Sequence, residues 1–291
     1  MKKIGYTVLA CMGLVFSGCQ QKVASSEEMR EVTVTIVPQQ YFAEQIGGDY
    51  FTVHTMVPVG SSPESFDPPA SSLVDLSQSE AYFQIGTLGF ELAWMDKLRE
   101  LSPKMQVFDM SQGMHLLGAD HVCHHGHAHH HIHQAYDPHI WTTPRGARSI
   151  VRNMASAFSA IDTAHSGVYA ERLATFELRL DTLEKQMHHL LDSVKQRTFV
   201  IYHPTLTYFA EEYGLRQLVI EHEGKEPSVN QLKQLVDEVK TSGAQVIFIQ
   251  EEFDQKHAQA IAEATGLRVV PINPLAYDWD VELLKIAQAL Q

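Results

Sequence analysis

The chain has 291 residues, 44% of them hydrophobic and 9% aromatic, enough apolar side chain for one large or two medium packed domains. Its formal net charge of −13 argues against a nucleic-acid partner and favours attraction of cations. The first residues form a separate unit. Lys2-Lys3 precede an apolar run of 13 residues, too short to span a bilayer comfortably, which ends in Ser17-Gly18-Cys19. Residues 1–18 therefore read as an export signal. Cys19 reads as the lipid-carrying first residue of the mature chain, and residues 19–30 as a polar tether. Loss of the signal removes two lysines and no acid, so the charge becomes −15. Cys11 leaves with it, and Cys123 alone remains beside Cys19, so no intrachain disulfide is expected.

After the tether, residues 31–37 alternate valine, threonine and isoleucine and predict a strand. Pro38 opens a helix to about residue 46, which Gly47-Gly48 stop. The pattern continues with a strand over 51–57, a long loop, a helix from Pro68 to about 79, a strand over 81–86, a helix over 91–101 and a strand over 105–110. Such alternation implies a parallel sheet with right-handed crossovers. Residues 144–195 read as helical, with a break near 161–166. The second part carries Tyr169, Leu173, Phe176, Leu180, Leu183, Met187, Leu190 and Val194 on one face, an apolar stripe at helical spacing. A coiled-coil dimer would need a longer repeat, so the stripe is read as a helix laid across two lobes in a monomer. Strands then return over 197–203, 216–222, 244–250 and 267–273, with helices over 205–213, 228–242, 254–265 and 280–290. Ser228 and Gln231 have the spacing of a capping box. The expected architecture is α/β, with two parallel-sheet lobes joined by one long rigid helix. The N-terminal lobe takes 31–163, with a His-rich loop over 115–136, the linking helix 164–195, and the C-terminal lobe 196–291.

The His-rich loop is the most unusual composition in the chain. Eight of the thirteen residues from 121 to 133 are histidine: His121, His124, His125, His127, His129, His130, His131 and His133. Imidazole is the commonest protein ligand for zinc, copper and nickel, and such a tract cannot pack a core. It has many equivalent ligands and no fixed geometry, so it predicts auxiliary, weaker metal sites. An ordered site needs side chains placed by the sheets. In open parallel sheets ligands bind beyond the carboxyl ends of the strands. Glu64, His139, His203 and Asn273 all stand there, two in each predicted lobe, so all four can converge on one inter-lobe cleft. Asp278 and Asp280 are further candidates nearby.

The residues that carry a family resemblance run through the whole mature chain. They are Val57-Pro58-Val59-Gly60-Ser61-Ser62-Pro63-Glu64-Ser65-Phe66-Asp67-Pro68, the His-rich loop, Asp137-Pro138-His139-Ile140-Trp141, Tyr202-His203-Pro204, Tyr213-Gly214-Leu215, Glu226-Pro227-Ser228 and Ile272-Asn273-Pro274-Leu275. In order and spacing the chain resembles the zinc- and manganese-binding lipoproteins that serve bacterial ABC metal importers. The resemblance implies that His139 and His203 are metal ligands, that the cargo is a divalent metal, and that the partner is an importer permease. It also implies a location outside the cytoplasm, lipid-anchored to a bacterial membrane. The chain departs from the family at two positions, with Glu64 where histidine is usual and Asn273 where aspartate is usual. Glutamate, two histidines and an asparagine form a harder set, which favours manganese or iron, whereas the His-rich loop favours zinc. Zinc is the expected cargo and manganese or iron the alternative. A metal-dependent hydrolase is the reading from another class, but no HExxH motif or general base beside the ligands supports it. A metal-buffering adhesin is the third.

Overall fold

A computed structural model describes residues 29–118, 136–221, 226–253 and 255–291. The export segment, Cys19, most of the tether and the eight histidines from His121 to His133 lie outside the described residues. In chain order, β1 (Arg30–Val34), α1 (Val37–Gly47), β2 (Phe51–Thr55), α2 (Ala70–Leu76), β3 (Ala81–Gln84), α3 (Gly89–Leu101) and β4 (Gln106–Asp109) build the first lobe. Then α4 (Pro144–Ile161) and α5 (Ser166–Leu191) lead to the second lobe. That lobe contains β5 (Thr198–Ile201), α6 (Thr207–Glu212), β6 (Arg216–Val219), α7 (Val229–Ser242), β7 (Val246–Gln250), α8 (Lys256–Thr265), β8 (Arg268–Ile272) and α9 (Trp279–Ala289).

Both sheets are four-stranded and parallel, in the orders β2-β1-β3-β4 and β6-β5-β7-β8, so the second lobe repeats the topology of the first. The central strands have cover on both faces, as parallel sheets require. Val32 and Val34 are fully buried, and so is Thr33, whose hydroxyl bonds Ser79 Oγ at 2.7 Å. Helix ends follow local chemistry. Thr143 caps α4 by accepting from Gly146 N at 3.0 Å, with Pro144 as the first helical residue. Ser228 caps α7 in the expected capping box, and Gly243, at φ 77°, ends it in the left-handed region that glycine adopts without strain.

The break between the two long helices falls where the sequence places it. Asp162 leaves the helix, and its carboxylate holds His165 Nδ1 at 2.7 Å and lies 3.8 Å from Arg30 Nη1. Helix α5 is 26 residues long and ends at Leu191, four residues before the expected end. Val194, the last residue of the expected stripe, bonds back to Leu191 in a closing turn and is still buried. Tyr169, Phe176, Leu180, Leu183, Met187 and Leu191 are buried along the face that packs on α1, α4 and α9. One apolar cluster runs from Val32 and Phe42 through Phe158 and Phe176 to Phe199, Phe248 and Trp279. Phe42 meets Trp279 edge-on, with centroids 5.0 Å apart at 75°, so side chains of both lobes share one core. No helix among the described residues is long and apolar enough to cross a membrane.

Phe176 stands where α5 meets α1, 3% exposed, with the rings of Tyr41 and Phe42 each 6.0 Å away. Phe176→Ala should lower unfolding stability by about 3–5 kcal/mol, the range for removing a buried aromatic ring. Urea titration of the soluble part of the chain would measure it. A change below about 1 kcal/mol would mean that α5 is not part of the shared core.

Candidate metal centre

The second lobe supplies the first of the grouped side chains. His203 follows the end of β5 by two residues, and the fully buried Gln250 at the end of β7 fixes its main chain. Gln250 Nε2 donates to His203 O at 2.9 Å, and Gln250 Oε1 accepts from His203 N at 3.3 Å. On the side chain, Nδ1 faces Glu221 Oε1 at 2.8 Å, and the ring stacks on Phe253 with centroids 4.9 Å apart. A carboxylate on Nδ1 favours the Nδ1–H tautomer and leaves Nε2 as the electron-pair donor. His203 Nε2 is buried and has no hydrogen-bond partner among the described residues.

His139 repeats this arrangement with stiffer support. Asp137 Oδ1 accepts from His139 N at 2.9 Å and faces His139 Nδ1 at 3.0 Å. Both residues are 3% exposed. Burial alone would raise the Asp137 carboxyl, but the adjoining imidazole and its hydrogen bonds outweigh that and hold it below the usual carboxylate range. Burial likewise pushes His139 down, and Asp137, with Glu64 and Glu221 further off, reverses the sign and raises it. Two residues on, Trp141 Nε1 donates to Pro274 O at 2.9 Å, and Trp279 Nε1 donates to Trp141 O at 2.6 Å. Residues 137–141 are therefore hydrogen-bonded into the second lobe. The expected division of two candidate side chains per lobe gives way to one in which both histidines are anchored there.

Glu64 comes from the first lobe, in the loop after β2. Ser62 Oγ accepts from Glu64 N at 3.3 Å, and Phe90 N donates to Pro63 O at 2.9 Å, so the loop is pinned to the start of α3. There Gly89 N donates to Glu64 Oε2 at 3.3 Å. A Cβ on Gly89 would lie 2.5 Å from Glu64 O and 2.9 Å from Glu64 Oε2, so glycine is required for this approach. The turn that presents Gly89 is shaped by Glu91, a buried acid whose carboxylate accepts from Ile85 N at 2.8 Å, from Gly86 N at 2.6 Å and from Thr35 Oγ1. Burial pushes Glu91 up to about 7 despite these donors.

Glu64, His139 and His203 each place one ligand-capable atom so that the three lie within 4.8 Å of one another. His139 Nε2 is 3.9 Å from Glu64 Oε1, and the two imidazole centroids are 5.2 Å apart at 75°. They line a cavity of about 20 Å³ with Ser62, Trp141, Gln250, Glu252 and Phe253 in its wall. That volume holds a body of about the size of one or two waters. Among the described residues no other group of three such side chains is found.

The chain matches the family described as the zinc-uptake complex component A, periplasmic (ZnuA), over residues 32–281. It belongs to this family. The crystal structure of ZnuA superposes with a TM-score of 0.83 at 35% identity, covering 90% of this chain and 97% of that one. The zinc-binding lipoprotein AdcA of Streptococcus pneumoniae strain R6 is 26% identical over 281 residues, 94% of this chain. The chain spans only 56% of the length of that relative. The laminin-binding protein Lmb of Streptococcus agalactiae, described as bifunctional with adhesin and metal-transporting activity, superposes at a TM-score of 0.76 and 26% identity, covering 90% of this chain and all of its own.

Three of the residues expected at or near the site, Asn273 and the further candidates Asp278 and Asp280, do not line the cavity. Asn273 follows β8, but its Oδ1 turns back to accept from Leu275 N at 3.0 Å, and its own N–H is held by Glu282 Oε1 at 2.7 Å. Pro274 and Leu275, not Asn273, face the cavity. Asp278 and Asp280 belong to the start of α9, where Asp280 lies 3.9 Å from Arg179. Conversely, sequence reasoning missed Glu252, the one carboxylate besides Glu64 in the cavity wall among the described residues, which burial raises. It lies just past the end of β7, so the strand-end rule that found the others would have found it too. The supporting acids Asp137 and Glu221 were also missed.

Gly89→Ala should destabilise the fold by about 1–3 kcal/mol, the usual cost of forcing a methyl into an occupied site. The measurement is urea unfolding, with Gly167→Ala, which has neither a positive φ nor a steric neighbour, as the control. Equal effects of the two substitutions would show that Glu64 does not press on Gly89.

Proposed function

We propose that the cleft binds one divalent metal ion, zinc in the first place, as cargo that the chain hands to an ABC-type importer permease. Glu64, His139 and His203 are the ligands in this reading. The observation that carries it is the grouping of one carboxylate and two imidazoles within 4.8 Å around a cavity of ion size. Carboxylates on both Nδ1 atoms orient the rings in the manner of protein zinc sites. Three protein ligands leave a fourth position for water or for Glu252. The function requires capture and release, not catalysis. The zinc-binding description of AdcA and the zinc-uptake description of the family support zinc over manganese or iron. Manganese or iron is the second reading, because a second carboxylate at Glu252 would harden the ligand set.

In the same reading the chain acts as a monomer outside the cytoplasm, held to the membrane through a lipid on Cys19. The eight histidines of residues 121–133 act as auxiliary, weaker sites. Cys19→Ser should move the protein from the membrane to the soluble fraction of the producing cell; retention at the wild-type level would refute the lipid anchor.

Ligand roles can be separated in a chain lacking residues 121–133, so that the tract does not mask the result. A site that binds only the folded state stabilises by about 4 kcal/mol at a thousandfold excess of metal over Kd. His139→Ala and His203→Ala should each remove most of the zinc-dependent rise in melting temperature. Glu64→Ala should weaken zinc and manganese alike, Glu252→Gln should weaken manganese more than zinc, and Asn273→Ala should change neither. If the histidine variants keep the full zinc-dependent shift, the metal lies elsewhere. If Asn273→Ala abolishes it, the ligand set is wrong.

A further inference from the structure

The two stems of the His-rich segment meet at a single side chain of the second lobe. Gly118 and Tyr136 pair in an isolated antiparallel bridge, and Asp137 N donates to Leu117 O at 2.8 Å, which closes the base of the segment. Tyr208, in the first turn of α6, reaches this base with its hydroxyl. Leu117 N donates to Tyr208 Oη at 3.1 Å, and Tyr208 Oη donates to Asp137 O at 2.9 Å. The hydroxyl thus joins the incoming stem, through its N–H, to the outgoing stem, through its carbonyl. It is half-buried, and burial raises it to about 12, so it stays a neutral donor throughout the working pH range. The preceding residue steadies the same turn, because Thr207 Oγ1 donates to Pro204 O at 3.1 Å and accepts from Gln217 Nε2 at 2.7 Å. Asp137 is the residue that fixes both the backbone N–H and the Nδ1 of His139. An unbroken series of contacts therefore runs from Leu117 through Tyr208 and Asp137 to the His139 ring.

We propose that Tyr208 is a positioning residue for the metal centre: it straps both stems of the His-rich segment to the second lobe and so holds Asp137, and through it His139, in the metal-binding orientation. This rests on the reading of His139 as a ligand. The strap has a defined effect. With it in place, what happens beyond Gly118 and Tyr136 does not reach His139, since both stems are tied before the segment begins. Without it, the stems keep the Gly118–Tyr136 bridge and the Asp137–Leu117 bond but lose their direct tie to α6, and the Asp137 carbonyl loses its donor. Orientation of a ligating imidazole by its outer partners is worth roughly 10- to 100-fold in metal affinity. Tyr208 acts one contact further out, so its removal should fall at the lower end of that range.

The test is a double-mutant cycle on the tightest zinc site, read by competition with a chelator of known affinity. The four chains are the wild type, Tyr208→Phe, a chain with residues 121–133 replaced by a Gly/Ser linker of equal length, and the combination. His139→Ala is the reference. The expected result is that the linker alone leaves Kd unchanged within twofold, that Tyr208→Phe weakens it about tenfold, and that the combination departs from additivity. The His139 ring signals of the metal-free protein in NMR should shift in Tyr208→Phe and not in the linker chain. A purely structural role would lower the melting temperature of Tyr208→Phe while leaving Kd, additivity and the His139 signals untouched, and that outcome would overturn the proposal. If His139→Ala itself keeps wild-type affinity, the metal-site reading fails instead, whatever Tyr208→Phe does.

Discussion

Burying two imidazoles beside a carboxylate is costly unless each group is held by something other than its neighbours in the cluster. The structure meets that constraint by giving each histidine a private acid. Asp137 takes Nδ1 of His139 and Glu221 takes Nδ1 of His203, so both Nε2 atoms are left for the cavity. The paired shifts of Asp137 and His139, one lowered and the other raised, are the electrostatic record of this coupling in a region where water screens little. The supporting acids need fixed positions in turn, and much of the second lobe supplies them. Gln250 clamps the His203 main chain, Tyr208 clamps Asp137, and the Trp141–Pro274 and Trp279–Trp141 bonds lock the segment that carries His139.

The repeated topology explains why the cleft is where it is. In each sheet the strand order reverses beside the first strand, between β1 and β3 in one lobe and between β5 and β7 in the other. Such reversals open a crevice past the strand ends. In the second lobe His203 and Gln250 occupy that crevice. In the first lobe Glu91 fills it, bonded to Thr35 past β1 and to Ile85 and Gly86 past β3. The first crevice is thereby sealed with an internal acid, and its outer wall, Gly89, becomes the rest for Glu64. One lobe uses its crevice to present histidine, and the other uses its own to build a shelf for a carboxylate. Because α5 and the aromatic contacts around Phe42 and Trp279 give both lobes one core, shelf and crevice are held in register.

Much of this was legible in the sequence. All eight strands and all nine helices of the described residues fall within a few residues of their expected places, since parallel strands need apolar runs and the connecting helices carry Pro, Ser and Gly at their ends. The break between α4 and α5 was legible for the same reason. Glu64, His139 and His203 were found because a strand end is a local feature. Asn273 satisfied that rule as well, yet its short amide finds a backbone donor two residues on and folds into a turn, a competition that strand-end position does not reveal. Tyr208 and Glu221 were not legible, because their roles depend on contacts distant in the chain: Tyr208 meets Leu117 across 91 residues and Glu221 meets His203 across 18, whereas Asp137 holds His139 only two residues on and was overlooked.

The three grouped side chains are supported in different ways, and in the proposed metal-binding reading that difference bears on selectivity. Each histidine has its ring fixed by a carboxylate and its main chain fixed by a second contact. Glu64 rests on Gly89 N at 3.3 Å, a long contact, and on a loop turn at Ser62. Imidazoles so fixed impose nitrogen donors at set positions, which suits zinc's preference for a tetrahedral shell with nitrogen ligands. A carboxylate can bind through one oxygen or two, which suits the larger oxygen-rich shells of harder ions. In the proposed reading the same three residues can therefore serve two classes of metal, with the second lobe setting the nitrogen geometry and Glu64 the oxygen count. Discrimination in that reading rests on how Pro63 and Gly89 position one carboxylate, a property of the loop's packing rather than of the ligand types that a sequence displays.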